Sequence, residues 1–196
     1  MRRSWEWFQE KAKTKHAQFW LFVISFTEAS VFPLITEVFL IPILAAKAGR
    51  WKYYALLASV ASVLGALFGY FLGAYVFEPI VQPLVNLYGL TEEFAYTGEL
   101  YAQSTFWSVL TAAFTPIPFK VFVLAGGFFG VPIIPFLLAS IIGRTARYAL
   151  VAFLADKFGP KAAETFIDNF NFVTLIVVIL LAIVLSVMFD IPEMIF

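Results

Sequence analysis

Apolar residues along the chain gather into five long blocks that are separated by short polar links. The blocks cover residues 19–46, 53–77, 106–130, 131–155 and 171–189. About 20 apolar residues are enough to cross the hydrocarbon core of a bilayer as a helix. The blocks at 53–77 and 171–189 contain no charged residue at all. The pattern predicts an all-α polytopic membrane protein, in which these two blocks are the clearest spans.

Two of the blocks, 19–46 and 106–130, are interrupted by residues that break helices. The interruptions are two prolines in each block and a glycine pair in the second block: Pro33, Pro42, Pro116, Pro118 and Gly126-Gly127. Proline removes a backbone donor and breaks a helix interior, and irregular backbone inside a membrane is tolerated only where protein or water surrounds it. We therefore predict two re-entrant, broken helical hairpins, with the four prolines as the hairpin breaks.

The polar links differ in charge. Residues 1–18 carry five Lys and Arg residues and the link 47–52 carries three, whereas the link 78–105 has four Glu and no basic residue. Basic residues near spans stay on the cytoplasmic side, and both basic links can do so only if the block between them enters the membrane and turns back. The pattern predicts an integral protein of the cell (inner, cytoplasmic) membrane, with its N-terminus cytoplasmic and its C-terminus outside.

This order of segments predicts one membrane domain, residues 1–196, with two inverted-topology repeats. Each repeat is a broken hairpin followed by a transmembrane helix. The segments are a cytoplasmic amphipathic N-terminus, the first repeat, an acidic outside link, the second repeat and a C-terminal span, at 1–18, 19–77, 78–105, 106–155 and 171–189. Interrupted hydrophobic segments in corresponding halves are the best sequence pointer to a transporter's binding site.

Small residues recur at every fourth position of the block 53–77, at Ala61, Gly65, Gly69 and Gly73. Such a face lets another helix approach closely. We expect it to pack the two halves of the chain together, and a homodimer seam is the alternative.

Composition excludes several classes of function. The chain is 62% hydrophobic and 13% charged, against about 45–50% and about 25% in soluble domains. Its formal net charge is zero, so there is no basic field to attract nucleic acid. Cysteine is absent and the single histidine, His16, lies in the polar N-terminal stretch. We expect no metal site, no cofactor and, because P-loop, Rossmann, HExxH and GxSxG motifs are missing, no enzyme activity.

Only five of the 13 acidic and 13 basic residues lie inside the apolar blocks: Glu28, Glu37, Lys120, Arg144 and Arg147. A charge at the bilayer centre costs at least roughly 2.5–3.5 kcal/mol on insertion scales, so each of them needs a reason. A carboxyl group withdrawn from water can hold a proton near neutral pH. Glu28 and Glu37 are therefore candidates for proton coupling.

The three basic residues are candidates for binding an anionic substrate. Arg144 and Arg147 are three residues apart and share a helix face, and a guanidinium group fits a phosphate or a carboxylate. Lys120 adds a third positive charge, so that the set of two acids and three bases has one positive charge in excess. The alternative is an ion-pair network with a purely structural role.

Three runs of residues resemble signatures of a known family. The run EASVFPLITEVFLIP at 28–42 resembles the first signature of the DedA membrane family, which shares the VTT (SNARE-associated) domain, and more narrowly its YqaA-like branch. TPIPFK at 115–120, followed by LAGG at 124–127, resembles the second re-entrant signature. GRTARY at 143–148 resembles the arginine motif. The three runs follow one another in the family's order.

The resemblance implies a membrane transporter or flippase that moves an anionic lipid phosphate, either undecaprenyl phosphate or a phospholipid, with links to the proton-motive force. It implies that Glu28 and Glu37 correspond to the family's acidic residues. Lys120, Arg144 and Arg147 would correspond to its basic residues. Many family members have arginine where this chain has Lys120, and lysine binds phosphate as a point charge without a bidentate fork. The implied partners are the lipid bilayer and an anionic lipid substrate, with no nucleic acid.

Two other functions fit the same residues. A proton-coupled antiporter of small solutes or ions would use the same acids, and a structural membrane-assembly protein would use the charges only to hold its helices together. The excess positive charge suits an anionic ligand, and the family resemblance implies that this ligand is a lipid phosphate.

The topology can be tested with single cysteines, since the chain has none of its own. We expect Ala48→Cys, in the second basic link, to react with a membrane-impermeant maleimide only after the cytoplasmic face of the membrane has been opened. Labelling of this residue from the outside alone in intact cells would contradict the re-entrant topology.

Overall fold

The computed structural model describes residues 16–30, 36–46, 49–77, 91–115 and 117–161, together with residues 83, 87, 165 and 169. The first four of seven helices in these ranges are α1 Ala17–Ser30, α2 Glu37–Ala46, α3 Trp51–Leu72 and α4 Thr91–Gln103. The remaining three are α5 Thr105–Phe114, α6 Phe119–Phe128 and α7 Ile133–Phe158. No strand occurs in the described ranges, so the all-α prediction is confirmed there. Pro33, Pro116 and the predicted span 171–189 lie outside the described residues.

Two helices are long and apolar enough to cross a membrane. They are Trp51–Val76, in which α3 continues through a π-helical turn at Gly73–Phe77, and α7, and each has 26 residues. At 1.5 Å per residue each is about 39 Å long, which exceeds the roughly 30 Å of a bilayer's hydrocarbon core. Large apolar side chains are exposed along both helices: Leu56, Val60, Leu64, Phe68, Ile134, Leu138, Ile141 and Ile142. Exposure of this kind is typical of a surface that faces lipid.

The four short apolar helices pack on the two long ones in a reciprocal pattern. α1 packs on α3 and α5 packs on α7, so the first helix of each pair contacts the long helix that follows it. α2 packs on α7 and α6 packs on α3, so the second helix of each pair contacts the long helix of the other half. α3 and α7 also pack against each other. The two halves of the chain are thereby interlocked.

Two of the predicted interruptions lie inside helices. α2 runs through Pro42, so the prediction of a break at Pro42 is wrong. The missing donor at Pro42 is tolerated because most of the ten residues of α2 are buried, among them Leu40, Ile41, Ile43 and Leu44, and tertiary packing overrides propensity in a short helix. Gly126 and Gly127 likewise lie within α6. Pro118, by contrast, immediately precedes α6.

The small residues of α3 bring backbones into contact. A methyl group added at Gly65 would overlap the carbonyl oxygen of Phe26 in α1, and one added at Gly73 would overlap the carbonyl oxygen of Leu124 in α6. The face predicted from Ala61, Gly65, Gly69 and Gly73 is therefore covered by α1 and α6 of the same chain. It packs the two halves together, which leaves this face unavailable to a second copy.

The buried core forms two apolar clusters. The first cluster combines residues of α1, α2 and α3 with the C-terminal half of α7, where Tyr148, Val151 and Ala152 are buried. The second combines α5, α6 and the later part of α3 with the beginning of α7, where Phe136 and Ala139 are buried. Between the clusters the buried side chains are polar, and they come from several helices: Ser25, Thr36, Glu37, Ser59, Ser62, Ser140 and Arg144. These residues and their partners are called the polar layer below.

Neighbouring glycines of α6 provide a test of the close packing. We expect Gly127→Ala to destabilise the protein by about 1–3 kcal/mol, as overpacking does, because the new methyl group would overlap the carbonyl oxygen of Tyr70. At Gly126 the nearest atom is the Tyr101 hydroxyl oxygen, at 3.3 Å, and alanine is favoured over glycine in a helix by about 1 kcal/mol. Thermal unfolding in detergent should therefore show Gly127→Ala well below Gly126→Ala, and equal midpoints would contradict the packing.

Candidate functional site

Arg144 lies near the middle of α7, inside the polar layer, and is 3% exposed. Its Nε donates a hydrogen bond to Ser62 Oγ on α3 at 2.7 Å. Its Nη2 donates to Glu28 Oε2 on α1 and to the Tyr148 hydroxyl, one turn further along α7. The Phe119 and Tyr148 rings lie 5.0 and 4.7 Å from its Cζ, at cation–π distance. The guanidinium group is thus held by a carboxylate, two hydroxyls and two aromatic rings.

Glu28 accepts hydrogen bonds from other residues besides Arg144. Its Oε2 accepts a hydrogen bond from Thr36 Oγ1 at 2.8 Å and one from the Tyr148 hydroxyl at 2.8 Å, in addition to that from Arg144. Thr36 directly precedes α2, and its carbonyl oxygen accepts from the backbone N–H groups of residues 39 and 40 in the first turn. One carboxylate therefore ties the end of α1 and the beginning of α2 to the middle of α7.

Arg147 joins the first pair of short helices to the second pair. Its Nε donates to Glu37 Oε1 at 2.6 Å, and its Nη1 donates to the Phe114 carbonyl oxygen at 3.0 Å. Glu37 is the first residue of α2, where the helix dipole favours a negative charge. Phe114 is the last residue of α5, whose final carbonyl groups have no partner within their own helix. Arg147 thus neutralises one negative side chain and one negative helix end.

Four of the five predicted charged residues come together in this layer, and they pair one to one. Lys120 is the remaining residue. It lies half-buried in the first turn of α6, two residues after Pro118. It forms no ion pair with any residue that the structure describes, and the first turn is the end of a helix where a cation is least favoured. The excess positive charge that the sequence predicted is therefore carried by Lys120.

Three partners in the polar layer were missed by the sequence reasoning. Tyr148 lies within the GRTARY run one turn after Arg144, and Thr36 directly precedes Glu37, so helical spacing and capping preference could have indicated both. Ser62 has no local signal, because its role depends on α3 lying against α7.

Two serines of α3 provide a matched test of the polar layer. Ser62→Ala removes the acceptor of Arg144 Nε, and leaving a buried donor unsatisfied costs about 1–3 kcal/mol. The Ser59 hydroxyl is equally buried but donates only to the Ala55 carbonyl oxygen of its own helix, at 2.7 Å. We expect Ser62→Ala to lower the unfolding midpoint clearly and Ser59→Ala to leave it nearly unchanged. Similar midpoints for the two variants would show that the Ser62–Arg144 bond contributes nothing.

Three known proteins are similar in sequence to this chain. Uncharacterized proteins of Haemophilus influenzae and Histophilus somni are 35% and 34% identical over 161 and 177 residues. The aligned regions cover 82% and 90% of this chain, and 81% and 92% of those proteins. An uncharacterized protein of Methanocaldococcus jannaschii is 29% identical over 139 residues, which are 69% of this chain and 82% of that protein. No solved structure matches the chain.

The family comparison covers most of the polar layer. The family model for the VTT domain matches residues 32–157, more than half of the chain. This range includes Glu37, Lys120 and both arginines, and Glu28 lies just before it. The VTT domain is associated with membrane transport or lipid flipping, and two helices of this chain are long and apolar enough to span a membrane. The chain therefore belongs to the VTT domain family of membrane proteins, the DedA family.

Proposed function

We propose that the protein is a lipid flippase that moves an anionic lipid phosphate, undecaprenyl phosphate or a phospholipid, across the membrane in exchange with protons. The observation that carries the proposal is the position of Arg144 and Arg147. Both lie near the middle of an apolar helix, and both are bound by carboxylates from one pair of short helices. Charges at this depth are expensive, and functional sites are where membrane proteins retain them.

The proposed architecture is two inverted repeats in the inner membrane. The α1–α2 and α5–α6 pairs are re-entrant hairpins that enter from opposite sides, the N-terminus is cytoplasmic and the C-terminus is outside. The reciprocal packing of the short helices supports this scheme, because two halves related by a twofold axis in the membrane plane would pack in that way. The basic and acidic links support the orientation.

In this proposal the phosphate binds to Arg144, Arg147 and Lys120. A guanidinium fork recognises a phosphate through charge-assisted hydrogen bonds. Lys120 supplies a point charge at the beginning of α6, beside the Phe119 ring that packs against Arg144. The lipid tail remains in the bilayer while the head group crosses at the polar layer.

The acids supply the exchange with protons. As carboxylates, Glu28 and Glu37 occupy the arginines, as they do in this structure. Protonation removes the negative charge of an acid and frees its arginine for the phosphate, and deprotonation returns the arginine to the acid. Lipid movement and proton movement are then linked, because both ligands compete for the same guanidinium groups.

A structural membrane-assembly role is the second candidate, and the one-to-one pairing of acids and arginines favours it. Such a network needs no ligand to neutralise the two arginines. It does not account for Lys120, which is half-buried and forms no ion pair with the described residues.

Two lysines allow a matched test of the flippase. We expect purified protein in phosphatidylcholine vesicles to speed the flipping of fluorescent phosphatidic acid or a fluorescent polyprenyl phosphate, measured by dithionite quenching. Lys120→Gln should slow this flipping at least about tenfold, because a hydrogen bond to a charged group contributes about 1.5–3 kcal/mol. Lys157→Gln is the control, since Lys157 is exposed near the end of α7.

The other outcomes separate the alternatives. Vesicles with wild-type protein that flip lipid no faster than empty vesicles would reject the flippase. Solute-dependent proton flux without lipid movement would indicate an antiporter. A wild type and a Glu37→Gln variant that differ only in unfolding temperature would indicate a structural role. A pH gradient across the vesicles should change the wild-type flipping rate and change that of Glu37→Gln less.

A further inference from the structure

The two acid–arginine pairs of the polar layer have different surroundings. Arg144 uses both Nε and Nη2, the two nitrogens of one guanidinium edge, because Ser62 accepts from Nε while Glu28 and Tyr148 accept from Nη2. The Phe119 and Tyr148 rings pack against the same group. To bind another anion through this edge, Arg144 would have to break all three hydrogen bonds and leave buried groups without partners. Such groups carry a full desolvation penalty.

Arg147 is bound more loosely. Its side chain is 13% exposed, against 3% for Arg144. On the same guanidinium edge only Nε has a partner, Glu37 Oε1, and Nη2 has none among the described residues. Nη1, on the far side, donates to the Phe114 carbonyl oxygen at 3.0 Å. If Glu37 leaves, Arg147 keeps this anchor on α5 and presents an open Nε–Nη2 fork, the geometry that binds phosphate through two hydrogen bonds.

Glu28 and Glu37 differ as their arginines do, since Glu28 has more side-chain donors than Glu37. Glu28 accepts from Thr36, Arg144 and Tyr148, so its carboxylate would keep two donors even without an arginine. Among the described side chains only Arg147 donates to Glu37. Burial strengthens the contrast, because the Glu28 side chain is 17% exposed whereas that of Glu37 is 4% exposed. Without Arg147, Glu37 would be a buried carboxylate with no side-chain donor among the described residues, and burial of such a charge favours uptake of a proton.

On this geometry, and on the basis of the proposed function, we infer that the pairs have separate roles. Arg147 exchanges Glu37 for the phosphate group of the ligand, and Arg144 stays with Glu28. This narrows the phosphate site of the proposed function to Arg147 and Lys120. Binding of one phosphate is then accompanied by uptake of one proton at Glu37. Arg144 is a second cation that faces Glu37, and in this assignment Glu28 continues to neutralise it. Arg144, Arg147 and Tyr148 face it from α7, Glu28 belongs to the same layer on α1, and the only charged residue of α3, Lys52, is exposed.

Arginine modification tests the inference on the wild-type chain without any substitution. Phenylglyoxal reacts with accessible guanidinium groups, and peptide mass spectrometry can follow each arginine separately in nanodiscs of phosphatidylcholine. Arg50, which is exposed, is the internal reference for full reactivity. We expect Arg147 to react at least about tenfold faster than Arg144, a ratio that corresponds to about 1.4 kcal/mol. Equal rates, or faster reaction of Arg144, would overturn the inference.

Two Glu→Gln variants test which carboxylate limits the reaction of each arginine with phenylglyoxal. Glu37→Gln should raise the rate of Arg147 and leave that of Arg144 unchanged, because it removes the one carboxylate that holds Arg147. Glu28→Gln should raise the rate of Arg144 much less, since Ser62, Tyr148 and the Phe119 ring still hold that guanidinium group. A larger rise at Arg144 in Glu28→Gln than at Arg147 in Glu37→Gln would contradict the assignment.

Protection by ligand then separates this inference from the proposed function. The same labelling is repeated in nanodiscs of phosphatidylcholine with inorganic phosphate added, and in nanodiscs that also contain phosphatidic acid or undecaprenyl phosphate. Protection of Arg147 alone supports the inference, and the arm in which it occurs shows whether free phosphate or a lipid head group is the ligand. Protection of Arg144 in place of Arg147 would overturn the inference while the proposed function stands. Protection of neither arginine would contradict the proposed function and the anion site at Arg147, and the rates in phosphatidylcholine alone would still decide whether the two pairs differ.

Discussion

Arg144 and Arg147 carry charges that deprotonation cannot remove, and both lie near the middle of an apolar helix of 26 residues. Burying an ion costs several kcal/mol unless an opposite charge and further hydrogen bonds compensate it. Glu28, Glu37 and the Phe114 carbonyl group provide that compensation. The arrangement of the short helices can be understood from this requirement, because each of these groups has to reach the middle of α7.

The ends of the short helices help to compensate the charge of Arg147. Continuous helices would have no ends at this place. The end of α5 contributes a backbone carbonyl group to Arg147, and the beginning of α2 places Glu37 where the helix dipole favours a carboxylate. The glycines of α3 let α1 and α6 approach to backbone contact. That close approach brings Glu28 and Phe119, which lie on those two helices, within reach of Arg144. Packing of small residues and pairing of charges are therefore parts of one arrangement.

The same layer combines firm and loose contacts, as the proposed transport function requires. A site in which every charge is fully satisfied would hold its helices together but could not exchange ligands. A site without internal partners would leave charges unpaired in an apolar environment, which is expensive. The described residues lie between these limits: Arg144 is enclosed by partners on several helices, Arg147 is held by one carboxylate and one backbone carbonyl group, and Lys120 forms no ion pair.

The sequence alone was sufficient to locate the two long described helices and to single out the charged residues within the apolar blocks, because apolar block length and the cost of intramembrane charge are local properties of the chain. The predicted blocks 53–77 and 131–155 correspond closely to Trp51–Val76 and α7. Local reasoning failed at Pro42, where burial of α2 outweighs a missing hydrogen bond. It also could not assign partners: Arg144 and Glu28 are 116 residues apart, and Arg144 and Ser62 are 82 apart. Only the packing of α1, α2 and α3 around α7 decides which carboxylate and which hydroxyl reach each guanidinium group, since a hydrogen bond depends on distances that no periodicity in the sequence records.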